Sequence, residues 1–248
     1  MLSNSLTSTV IQVEIVAWDS SFLGIKVGRI VQNSLKRDQL NNVLARFWAS
    51  GGQLVYWPSD PFDVESQNAA IANGGSMVDM KTTYLINLDM HFVPHCQAEA
   101  YCGPSDQPKL ESLAFQAGEY SRFKLDQQMP KDAYERLYRV WMQKSLSGDL
   151  ADGVLVRRDR DRILGVITMK AKVEFGTIGL VAVDHQIRGR GVGRDLLLSS
   201  FAWFKEHGCR QVRVVTQGSN RAACSLYESI GFAVEKKVAF YHFWERHL

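Results

Sequence analysis

One run does more than any other to limit how this chain can fold: His185-Gln186-Ile187-Arg188-Gly189-Arg190-Gly191-Val192-Gly193. The residues before it, Thr177-Ile178-Gly179-Leu180-Val181-Ala182-Val183, read as a buried strand. Those after it put Val192, Leu196, Leu197 and Phe201 at helical spacing. A strand, a glycine turn and a helix must therefore follow one another. Glycine lets successive backbone N–H groups turn towards one point without side chains in the way. The helix behind adds its unpaired N–H groups and the positive end of its dipole, so the natural guest is an anion and, best of all, a pyrophosphate. The plain alternative is a glycine-rich surface turn that binds nothing. A dinucleotide fold wants G-x-G-x-x-G in its first strand-to-helix turn and an acidic residue roughly 20 residues on. Here the spacing is G-x-G-x-G, late in the chain, and the next strand region ends in Gln217. The G-K-[ST] of a P-loop is absent.

Elsewhere the pattern divides. The first part reads as two strands, "VIQVEIVAWD" and "FLGIKVGRIV", joined by a turn at Ser20-Ser21. A helix over Arg37 to Ala49, the strand "QLVYW", a helix from about Asp63 to Ala72 and the strand "KTTYLINL" follow. Residues 89–107 hold Pro94 and Pro104 and have no period, which predicts a linker between a domain at 1–88 and another at 108–248. The second domain is expected to open on helices at Lys109–Gly118 and Pro130–Ser145, with Pro130 starting the latter. Strands at "GVLVRRD", "RILGVITMKAKV" and "FGTIGLVAVD" come next. After the glycine turn and its helix come the strand "CRQVRVVTQ", a helix over Arg221–Ile230 and a strand pair in "AVEKKVAFYHFW".

A net charge of +3 on 248 residues is too weak a bias for a nucleic-acid binder, though it suits anionic ligands. No run approaches the length of a membrane span, and the first residues lack the basic start and apolar run of a secretory signal. The four cysteines have no disulfide-framework spacing, which fits a reduced, cytoplasmic setting. His91, His95, Cys96 and Cys102 match no common zinc pattern, and a linker with incidental ligand types accounts for them, so no metal is expected.

Strand, R-x-x-G-x-G, helix, strand and then "NRAACSLYESIGF" resembles the GNAT acetyltransferases over about Val154 to Phe232. The resemblance implies an α/β (α+β) GNAT fold: a central mixed, mainly antiparallel sheet flanked by helices, preceded here by a smaller α/β amino-terminal domain. It implies acetyl-CoA as co-substrate. In that family the glycine turn holds the CoA pyrophosphate, which falls here on Arg188, Gly189, Arg190, Gly191, Val192 and Gly193. The preceding strand, here Val181, Ala182 and Val183, pairs its backbone with the pantetheine arm. An asparagine and a tyrosine complete the site at Asn220 and Tyr227. The runs "WDSSFLG", "EYSRF", "TQGSNRAACSLYESIGF" and "AFYHFW" resemble one sub-family, the dTDP-4-amino-4,6-dideoxygalactose (dTDP-fucosamine) N-acetyltransferases of bacterial surface-polysaccharide synthesis.

The residues suit that chemistry. Asn220, Cys224 and Tyr227 lie at i, i+4 and i+7, along one helix face. A phenol can protonate a departing thiolate, so Tyr227 is the candidate general acid, against the alternative of a helix tyrosine whose hydroxyl is merely satisfied. Asn220 also suits a helix N-cap, and Cys224 reads as a small buried thiol. Glu174, before the strand that would line the cleft, is the candidate general base, against a plain turn glutamate or a bound water. A backbone amide near Val181 would serve the oxyanion. On the acceptor side, Tyr120 and Phe123 could stack on a ring and Arg122 could pair with phosphate, while Trp18 and Phe22 read as packing. The expected partners are acetyl-CoA and a small-molecule amine, with a dTDP-amino sugar as the acceptor. Neither nucleic acid nor membrane is expected, and a homodimer is allowed. Two other readings stay open: the same chemistry on another amine or peptide, and a sensor that holds acyl-CoA without turnover.

Overall fold

A computed structural model describes residues 11–88, 97–101 and 103–245. They form two compact units. The first holds the chain up to Met80 together with its last segment from Val238, and the second runs from Lys81 to Lys237. This differs from the expected division at 88 and 108 because two strands, β4 (Ser76–Asn87) and β10 (Ala233–Trp244), each begin in one unit and end in the other.

In the first unit β1 (Val13–Ile15) lies antiparallel to β2 (Val27–Ile30), β2 parallel to β3 (Leu54–Ser59), and the end of β10 antiparallel to β3, from Ala239 opposite Ser59 to Trp244 opposite Leu54. The expected turn at Ser20-Ser21 is instead part of helix α1 (Ala17–Leu23). Two local forces favour it: Trp18 and Phe22, one helical turn apart, stack at 4.8 Å, and Gly24 closes the helix at φ +69°. Helices α2 (Arg37–Ala49) and α3 (Val64–Ala72) fall where the periodicity put them. Leu40, Val43, Leu44 and Phe47 pack with Trp57, Tyr241 and Phe243 in this unit's core. The last run is one twelve-residue strand rather than a pair, since Glu235-Lys236-Lys237 offers no turn residue.

The second unit orders its strands β4-β9-β8-β7-β6-β5, where β5 is Glu99–Ala100, β6 Gly153–Asp159, β7 Arg162–Lys172, β8 Phe175–Val183 and β9 Gln211–Gln217. Only β8 and β9 pair in parallel; the other neighbours are antiparallel. This is a mixed, mainly antiparallel sheet with helices on both faces. On one face lie α4 (Gln107–Ala117) and α6 (Ala133–Leu146), whose Leu110, Leu113, Tyr138 and Met142 pack on Val156, Ile163 and Val166. The short α5 (Arg122–Leu125) joins them. On the other face lie α7 (Val192–Glu206) and α8 (Arg221–Ile230), whose Leu196, Leu197, Phe201, Phe204 and Tyr227 pack on Ile167, Met169, Ile178 and Val214. Each large side chain fully buried there contributes about 1.5–3 kcal/mol. Among the described residues no helix is long and apolar enough to cross a membrane.

Candidate active site

Two departures from regular pairing open the second sheet. The first is a bulge on β8: Leu180 pairs with Thr168 and Ile178 with Met169, which leaves Gly179 with no opposite residue. The Leu180 N–H bonds to the Thr168 hydroxyl at 2.9 Å. The extra residue reverses which face later side chains meet. Ile178 lies in the core under α7 and α8, whereas Leu180 and Ala182 lie in the core under α4 and α6.

The second departure is a parting of strands. Pairing between β8 and β9 ends at Ile178 opposite Val214, yet β8 continues to Val183 and β9 to Gln217. The free edge can be assigned. The Asp184 N–H bonds to the Leu164 carbonyl at 2.9 Å, so the pairs exchanging hydrogen bonds with β7 are Asp184/Leu164, Ala182/Val166 and Leu180/Thr168. The N–H groups of Val181 and Val183 consequently point to the edge that β9 has left. Ala182 is buried with its N–H turned to β7, so it shapes the strand and leaves that edge to its two neighbours.

At the end of this edge the chain enters the glycine turn. Gly189 and Gly191 take φ +81° and +84°, the left-handed region that a β-carbon strains, and Gly191 is the N-cap of α7. The first N–H groups of α7, on Val192, Gly193 and Arg194, have no helical acceptors, while the Val192 side chain is anchored in the core. At Gly193 a β-carbon would come within 2.9 Å of Leu226, which brings α7 close against α8. Arg188 donates to the Val183 carbonyl at 3.3 Å, and Arg190 is exposed beside it. The turn hangs on Asp184, which sequence reasoning did not single out for this. Its buried carboxylate accepts from Lys109 at 2.6 Å, from the Gln186 N–H at 3.1 Å and from Arg162 at 3.4 Å. The Lys109 ammonium outweighs the cost of burial and lowers its pKa to about 2.

Tyr227 stands on α8, 4% exposed, between the rings of Tyr84 and Phe232 at 5.7 and 5.6 Å. Its hydroxyl has no hydrogen-bond partner among the described residues, so the reading of a satisfied helix tyrosine does not describe it. Burial, and secondarily Cys224 beside it, push the phenol well above its usual pKa and keep the proton on the oxygen. Asn220 caps α8, its side-chain oxygen accepting the Ala223 N–H at 3.1 Å, which leaves its amide nitrogen for a ligand. Cys224 is a buried free thiol. Sequence reasoning missed Tyr84. It comes from β4, donates to Glu228 at 2.7 Å and so ties that strand to α8. The alternation of buried Thr82, Tyr84 and Ile86 was its signal, though the partner strand lies over 120 residues away.

Val181, Val183 and Tyr227 thus pack in one cluster with the start of α7, whose Gly193 lies against Val183 and Leu226, and Asn220 caps the N-terminus of α8. Glu174 is not among them. It forms the β7–β8 turn at φ +63°, at the other end of β8, with its carbonyl accepting the Arg210 and Gln211 N–H groups. Five strand residues, about 17 Å, separate it from Gly179. Phe123 is 6% exposed, with the Arg122 guanidinium 4.9 Å from its ring centre. Its ring therefore serves packing, while Tyr120 and Arg122 remain half-buried at the surface. Among the described residues no cluster of three or more His, Cys, Asp or Glu could hold a metal. His91, His95, Cys96 and Cys102 lie outside the described residues.

Residues 112–232 match the Acetyltransferase (GNAT) family model. The second unit is a GNAT acetyltransferase domain. The fold of the chain is shared over 96% of its length and 78% of the other by a GCN5-related N-acetyltransferase from Sphaerobacter thermophilus, at a TM-score of 0.65 and 18% identity. In sequence the chain is similar to a spore coat polysaccharide biosynthesis protein of Bacillus subtilis, 25% identical over 141 residues. It is also similar to a dTDP-fucosamine acetyltransferase of Escherichia coli, 32% identical over 133 residues. These alignments cover 57% and 53% of this chain, and 48% and 56% of the two relatives. The chain thus spans about half the length of each relative.

Proposed function

We propose that the chain is an acetyl-CoA-dependent N-acetyltransferase acting on the amine of a dTDP-linked 4-amino-4,6-dideoxy sugar. One observation carries the reading: an unpaired strand edge, Val181 to Val183, leads into a glycine turn that caps the N-terminus of α7, and the buried Tyr227 of α8 belongs to the same packed cluster as that edge. A diphosphate fits the N–H groups of α7, and an amide-bearing arm fits the free N–H group of Val183. The two relatives named for polysaccharide and dTDP-sugar chemistry support the acceptor.

In this mechanism the neutral amine attacks the thioester carbon, the C–S bond breaks and the electron pair leaves on sulfur. The Tyr227 hydroxyl gives its proton to that thiolate. The burial that raises the phenol pKa also raises the basicity of a thiolate released beside it, so the transfer stays balanced. Negative charge developing on the thioester oxygen meets a backbone N–H on the open edge of β8, with Val181 the candidate donor. The amine of a sugar ring beside hydroxyls is less basic than that of lysine, and a water takes its proton. The test is release of CoA thiol from acetyl-CoA by the purified protein with dTDP-4-amino-4,6-dideoxyhexoses, polyamines and lysine peptides. Turnover with the nucleotide sugars alone supports the reading. Turnover on another amine, or none on any, overturns it.

A further inference from the structure

Glycine frees the N–H groups of the turn to point at an anion, and the same freedom leaves them unaimed unless the flanks hold them. Downstream, Val192 is anchored in the core and Gly193 lies close against Leu226. Upstream, the hold comes from the opposite face of the sheet. We infer that Lys109 and Gln116 of α4 are positioning residues for the cofactor: they fix the segment that leads into the turn, and so set the affinity for the CoA pyrophosphate. The inference rests on the proposed reading of that turn as the pyrophosphate site.

Two side chains of one helix reach two successive residues. Lys109 and Gln116 lie two turns apart on α4 and point the same way. They flank the stripe of Leu110, Leu113 and Ala114 that seats the helix on the sheet. Lys109 donates to the Asp184 carboxylate at 2.6 Å, and the Gln116 side-chain oxygen accepts the His185 N–H at 2.9 Å. Asp184 and His185 are the first residues after β8, so α4 grips the chain where the open strand edge gives way to the turn.

The grip is stiff. The buried Asp184 carboxylate also accepts the Gln186 N–H at 3.1 Å, and Arg162 donates both to that carboxylate at 3.4 Å and to the Gln186 side-chain oxygen at 2.9 Å. Without the ammonium, the buried carboxylate keeps Arg162 as its remaining cation of the two, and the cost falls on the segment 184–186. The seat of α4 is separate from this grip. Besides its apolar stripe, the helix is tied to α6 through Glu111, which accepts from Gln143 at 2.9 Å and pairs with Arg139 at 3.5 Å. Neither tie involves Lys109 or Gln116. Those two side chains hold the turn segment, and other residues hold the helix.

The test titrates CoA into the full chain and reads affinity by calorimetry, with thermal melting to show that each variant is folded at the titration temperature. Lys109→Met keeps the apolar stem without the ammonium and weakens CoA binding about tenfold. Lys109→Arg, which still donates to Asp184, returns the affinity to within about threefold of the wild type. Gln116→Leu leaves the His185 N–H to water and weakens binding about threefold; it carries the test alone if Lys109→Met does not fold. Glu111→Gln loosens α4 from α6, lowers the melting temperature and leaves CoA affinity within about twofold. A role in stability alone gives another pattern: affinity unchanged in Lys109→Met and Gln116→Leu, or weakened as much in Glu111→Gln. Either result overturns the inference. Gly191→Val keeps the two readings apart. If valine there weakens CoA binding and Lys109→Met does not, the positioning role fails and the turn stands as the pyrophosphate site. If valine there leaves CoA binding unaltered, the turn reading fails and the positioning role falls with it.

Discussion

The two faces of the second sheet are built by different means. Under α7 and α8 the proposed binding elements are backbone: the N–H groups of Val181 and Val183, the glycine turn and the first turn of α7. Under α4 and α6 a cleft is lined instead by side chains carried on separate elements, Trp141 on α6, Lys170 and Lys172 on β7, and Thr177 on β8. Backbone recognition needs a fixed local conformation, and hence one contiguous run of sequence. Side-chain recognition needs residues brought together by the fold and leaves no contiguous trace. The proposed cofactor face is accordingly spelled out in the chain, and the side-chain cleft on the other face is not.

The comparison is broken most severely by removing a strand that both faces share. A chain beginning at residue 108 loses residues 81–87, which pair with β9 along its whole length, and the buried Tyr84, Ile86 and Leu88. The three side chains alone are worth about 1.5–3 kcal/mol each. The expected outcome is an insoluble fragment or one without cooperative thermal unfolding; a melting temperature within a few degrees of the full chain would contradict it.

Replacing Tyr227 by phenylalanine is next in size. It should lower kcat by about 10- to 100-fold with little change in KM for acetyl-CoA. Because burial raises the phenol pKa, the wild-type kcat should show no loss from Tyr227 ionisation up to about pH 10. An unchanged rate in the phenylalanine variant would remove the acid role.

Asp184 gives a smaller effect, confined to acid. Its folded pKa of about 2 lies below the free value of 3.8, so its contribution is complete above about pH 4 and is lost as the pH falls from 4 towards 2. That loss is about 2 kcal/mol. Urea unfolding at pH 6 and pH 3 should lose part of it in the wild type and less in Asp184→Asn; an equal fall in both would contradict the assignment. Smallest of all is Glu174→Gln, expected to leave kcat within about twofold because the turn lies far from the opening. A large fall would return Glu174 to the site.

What was legible in the sequence follows the same division. The helices over 37–49 and 221–230 and most of the strands of the second unit stand where periodicity placed them. The glycine turn and Asn220 carry the predicted local geometry. Three things were hidden. The bulge at Gly179 is a mismatch between two strands, and neither strand records it alone. The crossing of β4 and β10 between units depends on partners over 120 residues distant, so a run that looked like the end of one domain is a strand of the next. Helix α1 stands where two strands and a turn at Ser20-Ser21 are expected from the sequence, although Trp18 and Phe22 have helical spacing.

The most direct test of the cofactor assignment is initial-rate kinetics with both substrates varied, on Gly191→Val. Valine at the left-handed Gly191 should raise KM for acetyl-CoA about tenfold and leave that of the nucleotide sugar alone. If the KM for acetyl-CoA is unchanged, the turn is not the cofactor site and the account fails.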